Sequence, residues 1–278
     1  MTMTTGKFAR CLASAALGSA LLMTAAGASA SPSITNLDGT FDPFGGFDWS
    51  KAGNAITSGA IVNGGTVTST FWANAIAIND TSSTPFTTPN LFPNNASGTY
   101  EYTTLATITE TVSCGGAIGD PCGTSATFTA TGGSWTIYYD TSPNSNLVTG
   151  AGITDGTKLI AGDVTSGGGT FILSGTGGGG FFNYNGTVTF TDTSFINPAL
   201  LGTNAFSTLQ FGSDTTSWTH PTSQPGPNGT TAPLGNVLAF QADANQAFTP
   251  TTTVPEPGTL ALLAAAILGV GFVRRRSK

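Results

Sequence analysis

The side chains able to carry proton transfer, nucleophilic attack or metal binding are few, and their spacing argues against most reactions. Between residues 31 and 254 the only glutamates are Glu101 and Glu110. Glycoside hydrolysis needs two carboxyl groups facing each other across a cleft, whereas an odd separation on a regular strand puts this pair on opposite faces. His220 is the sole histidine and lies in Ser217-Trp218-Thr219-His220-Pro221. With no nucleophile-elbow or cysteine-centred motif to accompany it, it reads as a loop surface residue. Asp38, Asp42 and Asp48 lack the spacing of a calcium loop. The glycine tract at 175–180 lacks the strand-to-helix setting and the Lys-Ser or Lys-Thr of a phosphate loop, so it reads as a linker. No catalytic residue, cofactor or metal site is expected, and the chain is read as a non-enzyme.

The residues that do carry chemistry are at the end of the chain, where the protein is itself a substrate. Val254, Pro255, Glu256 and Pro257 precede an uncharged run at 260–273, followed by Arg274, Arg275, Arg276 and Lys278. The prolines hold the backbone extended around one carboxylate, because each fixes its own φ and disfavours helix in the residue before it. Fourteen helical residues at about 1.5 Å each span roughly 21 Å, short of a hydrocarbon core of roughly 30 Å, and snorkelling arginines extend the reach. The arginine cluster stays cytoplasmic under the positive-inside rule, leaving the rest of the chain outside the inner membrane. Proline-glutamate-proline, short apolar helix and arginine cluster, in that order, resemble the PEP-CTERM sorting signal of Gram-negative bacteria. The resemblance implies recognition by an exosortase, transient residence in the inner membrane, removal of the helix, and a final place at the cell surface or in the extracellular matrix.

The start of the chain agrees with export. Lys7 and Arg10 precede an apolar stretch that ends at the small residues Ala28-Ser29-Ala30, as in a secretory signal peptide covering 1–30. Cys11 leaves with it. The remaining cysteines, Cys114 and Cys122, enclose a glycine- and proline-containing loop, and C-x7-C is neither a zinc nor a thioredoxin spacing. In an oxidising compartment they read as a disulfide, which loop-closure entropy values at about 2–3 kcal/mol.

With both sorting segments set aside, Lys51 and Lys158 face thirteen acidic residues, a formal net charge of −11. Such a body has no basic patch for phosphates, which argues against nucleic acid or an anionic membrane surface as partner. Neutral sugars, amine-bearing polymers and divalent cations are compatible with it.

Positioning is left to strands. From Tyr100 to Val112, Tyr100, Tyr102, Ala106, Ile108 and Val112 share one parity and threonines fill the other, with Leu105 and Glu110 breaking the pattern. Three hairpins are expected, around Gly132-Gly133, around Gly167-Gly168-Gly169 and around Asn185-Gly186, since such turns need positive φ. Further strands are expected at 65–78, 207–211 and 236–242, a helical turn at 197–201, and surface loops at 81–95 and 221–233. The fold class is all-β, a single antiparallel β-sandwich-like domain, flanked by an N-terminal signal peptide and a C-terminal short transmembrane helix. The domains are 1–30 signal peptide, 31–247 body, 248–254 Thr/Pro stalk and 255–278 sorting signal.

Segments 135–140, 155–162 and 238–245 of the body resemble flocculation-associated PEP-CTERM proteins. That resemblance implies a structural or adhesive role in flocculation or biofilm formation, with exopolysaccharide or matrix as partner and no defined binding residues. The alternative is a carbohydrate-binding module for exopolysaccharide, with Trp218 and Trp72 as the candidates for stacking on sugar rings. Trp135 shares a strand face with Ile137 and Tyr139 and is expected in the core.

Overall fold

The structure is a computed structural model that describes residues 31–174, 177–212 and 218–249. The signal peptide at 1–30, the motif at Val254, Pro255, Glu256 and Pro257, the apolar run at 260–273 and the cluster Arg274, Arg275, Arg276 lie outside the described residues. Strands follow in the order β1 (Ser33–Asn36), β2 (Gly39–Phe41), β3 (Phe44–Ser58), β4 (Thr66–Asp80), β5 (Leu91–Phe92), β6 (Tyr100–Ser113) and β7 (Ser125–Asp140). Then come β8 (Thr157–Ser174), β9 (Gly177–Thr191), β10 (Ile196–Asn197), β11 (Asn204–Phe211), β12 (Ser223–Pro225), β13 (Thr231–Pro233) and β14 (Val237–Thr249). Among the described residues the one helical element is a 3-10 turn at Pro227–Gly229. It is not at 197–201, where Ile196 and Asn197 instead pair with β1.

Among the described residues, eight long strands pair antiparallel in the sequence β3-β4-β6-β7-β8-β9-β11-β14, and β14 returns to β3. These eight strands therefore form one antiparallel sheet closed into an up-and-down barrel. Its alternation serves a sandwich and a barrel equally, because both need one face in and one face out.

Closure also explains why the three hairpins expected from glycine pairs are absent. Gly132-Gly133, Gly167-Gly168-Gly169 and Asn185-Gly186 lie inside the single strands β7, β8 and β9. Gly133 has φ +149°, and a Cβ there would sit 2.4 Å from the Thr107 carbonyl oxygen; at Gly168, with φ +143°, it would sit 2.0 Å from that of Phe128. Register shifts fall beside these positions, between Thr109 and Glu110 and between Val164 and Ser166. Glycine inside long strands marks the places where a closing sheet bends and neighbouring backbones crowd. The tract read as a linker is corrected likewise: Gly177 pairs with Ser174 and residues 177–180 belong to β9, while 175–176 are outside the described residues. At the other end β14 runs to Thr249 with Phe248 buried, so the barrel takes the first two residues assigned to the stalk.

Packing has two parts. Trp49, Phe71, Ile108, Trp135, Val164, Tyr184, Leu209 and Ala244, one from each barrel strand, are buried in the same core cluster. Towards one end a phenylalanine layer fills the barrel, with Phe182 and Phe211 centroids 4.7 Å apart and Phe171 and Phe240 4.8 Å apart. The opposite end carries the small sheet β10-β1-β2, which buries Ile34. A second, smaller cluster of Ile56, Trp72 and Ile153 packs with Leu105, Leu147 and Leu234. Trp72 alternates with the inward Phe71 and Ala73, which puts this cluster on the outside of the barrel wall, beneath the loops that carry Leu147 and Leu234.

Candidate functional site

The two glutamates that the sequence singled out are both buried, on opposite faces of β6, as the odd separation requires. Glu110 shares its parity with Ile108 and Val112 and points into the barrel. Its Oε2 accepts a hydrogen bond from Ser69 Oγ at 2.7 Å and its Oε1 one from the Tyr184 hydroxyl at 2.8 Å. Burial raises its pKa above the ordinary carboxylate value, with the bonds from Ser69 and Tyr184 acting in the opposite direction.

Glu101 points outward and holds a loop against the wall. Its Oε1 accepts the backbone N–H groups of Asn144 and Ser145 at 2.8 and 3.0 Å, and its Oε2 accepts Asn74 Nδ2 at 2.9 Å and the Ser145 hydroxyl. Burial again raises the pKa, opposed first by the Ser145 side chain and then by the two backbone donors. The loop so anchored supplies the Leu147 carbonyl oxygen, which accepts from Asn54 Nδ2 at 2.8 Å and Trp72 Nε1 at 2.9 Å. Every oxygen of the pair is engaged in holding structure together, and the barrel wall separates the two carboxylates. They do not face one another across a cleft.

A third carboxylate organises the end that carries β1 and β2. Asp38 accepts the Tyr100 hydroxyl at 2.7 Å and Asn90 Nδ2 at 2.6 Å, while Asn36 Nδ2 donates to the Tyr102 hydroxyl at 3.1 Å. Burial, the largest cause, pushes both phenols above their ordinary range. The short hairpin is thereby fastened to the inner tyrosines, a contact that pairs residues more than sixty positions apart and that no local pattern announces. Among the described residues no group of three or more histidine, cysteine, aspartate or glutamate side chains is placed to hold a metal ion.

The barrel axis keeps a cavity of about 50 Å³, lined by Trp49, Phe71, Trp135, Tyr184 and Leu209. Pockets for small molecules run to roughly 300–1,000 Å³. The interior is thus a packed core with room for little more than water.

The tryptophans divide. Trp72 is fully buried, with 0 % exposure, and its indole N–H is tied to Leu147, so it is corrected from a sugar platform to a core residue. The reason is that the loops cover this outward face of β4. Trp218 is half-buried, donates from Nε1 to Asn54 Oδ1 at 2.8 Å, and lies with its ring centroid 5.7 Å from that of His220. Trp135 is in the core. His220 is exposed in a loop.

Cys114 and Cys122 are joined by a disulfide with their Cα atoms 5.7 Å apart. Asn63 pins the same loop, accepting the Cys114 N–H at 3.0 Å and donating to the Gly116 carbonyl at 3.0 Å. Segments 135–140, 155–162 and 238–245 fall on the end of β7, on the start of β8 with the residues before it, and on β14. Most of their residues belong to wall strands of the barrel.

Residues 253–276 match the family model of the PEP-CTERM protein-sorting motif. No curated protein and no solved structure matches the chain. The motif, with Pro255, Glu256 and Pro257 at its start and Arg274, Arg275 and Arg276 at its end, implies export, transient sorting at the membrane and processing by an exosortase.

Proposed function

We propose that this chain is a cell-surface or extracellular-matrix protein with a structural, adhesive role in flocculation or biofilm formation, and that its body catalyses no reaction. The observation that carries the reading is the sorting motif at 253–276, attached to a barrel whose interior is filled. Support comes also from the buried glutamates, which hold Ser69, Tyr184 and the 144–145 backbone in place. The acidic body suits a matrix of exopolysaccharide rather than nucleic acid. In this reading the partners are the exosortase, the inner membrane during transit, and the matrix at the destination. Removing residues 254–278 leaves the protein soluble and dispersed, and deleting the gene loosens cell aggregates; unchanged aggregation in the deletion strain overturns the role.

A second reading, a carbohydrate-binding module for exopolysaccharide, retains Trp218 as a partly exposed aromatic ring. Retention of the protein on the organism's own exopolysaccharide, lost on Trp218→Ala, would place that reading first.

A further inference from the structure

Between the outer faces of β6–β8 and the segment 225–228 runs an open groove of about 820 Å³. Tyr138 and Lys158 are directly opposite one another on β7 and β8, and both line it. Leu105 supplies further apolar lining, and Asp155 and Asn228 are exposed at its edge. Tyr138 is half-buried and on the outward parity of β7, opposite to the buried Ile137 and Tyr139.

The far wall is fixed before any ligand arrives. Thr154 Oγ1 donates to the Gly226 carbonyl at 2.6 Å and accepts the Gly229 N–H at 2.8 Å, while the Gly152 N–H donates to the Gly229 carbonyl at 3.1 Å. Asn228, between these anchors, adopts φ 52° and ψ 46°, a left-handed conformation that asparagine tolerates better than most residues. A pre-formed wall lowers the ordering cost of binding.

We infer that this groove binds a neutral polysaccharide. An aromatic ring with an aliphatic neighbour offers a platform for the apolar face of a pyranose, and the surrounding ammonium, carboxylate and carboxamide supply donors and acceptors for its hydroxyls. A body at −11 repels a polyanion, while Lys158 and Asp155 give the groove itself one charge of each sign and so no local preference for a charged polymer. The inference rests on the body being extracellular but not on its adhesive role.

The test is affinity electrophoresis of the mature protein recovered from the cell surface, in gels containing dextran, galactomannan, hydroxyethylcellulose, alginate or chitosan. Retardation is expected in at least one neutral polymer, weakened about tenfold by Tyr138→Ala and kept by Tyr138→Phe. Thermal melts of both variants separate lost binding from lost folding. Should Tyr138→Ala unfold the body, Asn228→Ala at the exposed rim replaces it and is expected to weaken retardation several-fold. Retardation by alginate or chitosan alone, retardation indifferent to Tyr138 and Asn228, or none in any gel overturns the inference. If any of these results accompanies normal aggregation, the groove assignment fails while the adhesive role stands.

Discussion

The Tyr184 hydroxyl donates to Glu110 Oε1 at 2.8 Å inside the barrel, opposite the 2.7 Å bond from Ser69 to Oε2. Both partners are hydroxyls, which accept as readily as they donate, so the site tolerates an amide in place of the carboxylate. Glu110→Gln is expected to fold and to be more stable than the wild type at neutral pH. The sign follows from the raised pKa: the folded state holds the proton more tightly, so the stabilisation is full below the ordinary glutamate value and is lost as pH rises through the folded one. Melting curves from pH 4 to 8 check it, the variant losing less stability than the wild type across that range. Glu110→Ala, which unpairs the Tyr184 hydroxyl and leaves Ser69 only its 3.1 Å bond to Thr57, is expected to cost about 1–3 kcal/mol.

Glu101 should respond in the opposite way to the same substitution. Its partners include two backbone N–H groups, which only donate, and the Nδ2 of Asn74, so a glutamine sets donor against donor in the present arrangement and keeps its bonds only if the Asn74 amide turns over. Glu101→Gln is expected to cost about 1–3 kcal/mol and to speed proteolysis within 141–147. Limited proteolysis followed by mass mapping reads both the rate and the place.

Much of the inward face was legible in the sequence, and Tyr100, Tyr102, Ile108 and Val112 are buried on the parity that alternation assigns. Glu110, which looked like a break in that pattern, follows it; the signal was its parity, obscured by its charge. Glycine pairs misled because positive φ serves a turn and a mid-strand bend alike, and strands of 15 to 18 residues are far longer than the usual five or six. The strand β3 escaped notice altogether, since Gly45, Gly46 and Gly53 interrupt its alternation. Those glycines are required by close backbone approach, a Cβ at Gly46 falling 1.9 Å from the Gln246 carbonyl oxygen. Closure itself joins Phe47 to Gln246, a pairing between the two ends of the body that no local pattern shows. Trp72 was misassigned because alternation gives a face but not what covers it.

The bend glycines admit a direct check. At Gly168 a side chain would meet both an unfavourable φ of +143° and the Phe128 carbonyl. Gly168→Ala is expected to destabilise by about 2–4 kcal/mol, whereas Gly115→Ala, where a Cβ would have nothing within 4 Å, is expected to change stability by less than about 0.5 kcal/mol. Denaturant midpoints of the two variants compare them.

Maturation is expected to depend on Glu256, whose carboxylate between two rigid prolines offers a charge-assisted contact at low ordering cost. Glu256→Ala should leave an uncleaved form in the inner membrane with an unaltered body. Mass spectrometry of the wild-type surface protein decides the matter: a C-terminus intact through Lys278 would make the tail a permanent anchor.

The eight-stranded closure has a consequence for contact between copies of the protein. An open sheet ends in rows of unpaired N–H and C=O groups that can template strand-by-strand growth into fibres, and a closed one offers no such rows. Neighbouring copies of this barrel therefore cannot zip together backbone to backbone along the long strands, and whatever cohesion they have must run through side chains and loops. Contacts of that kind are individually weak and separable, so a network built from them can loosen and re-form without any barrel unfolding.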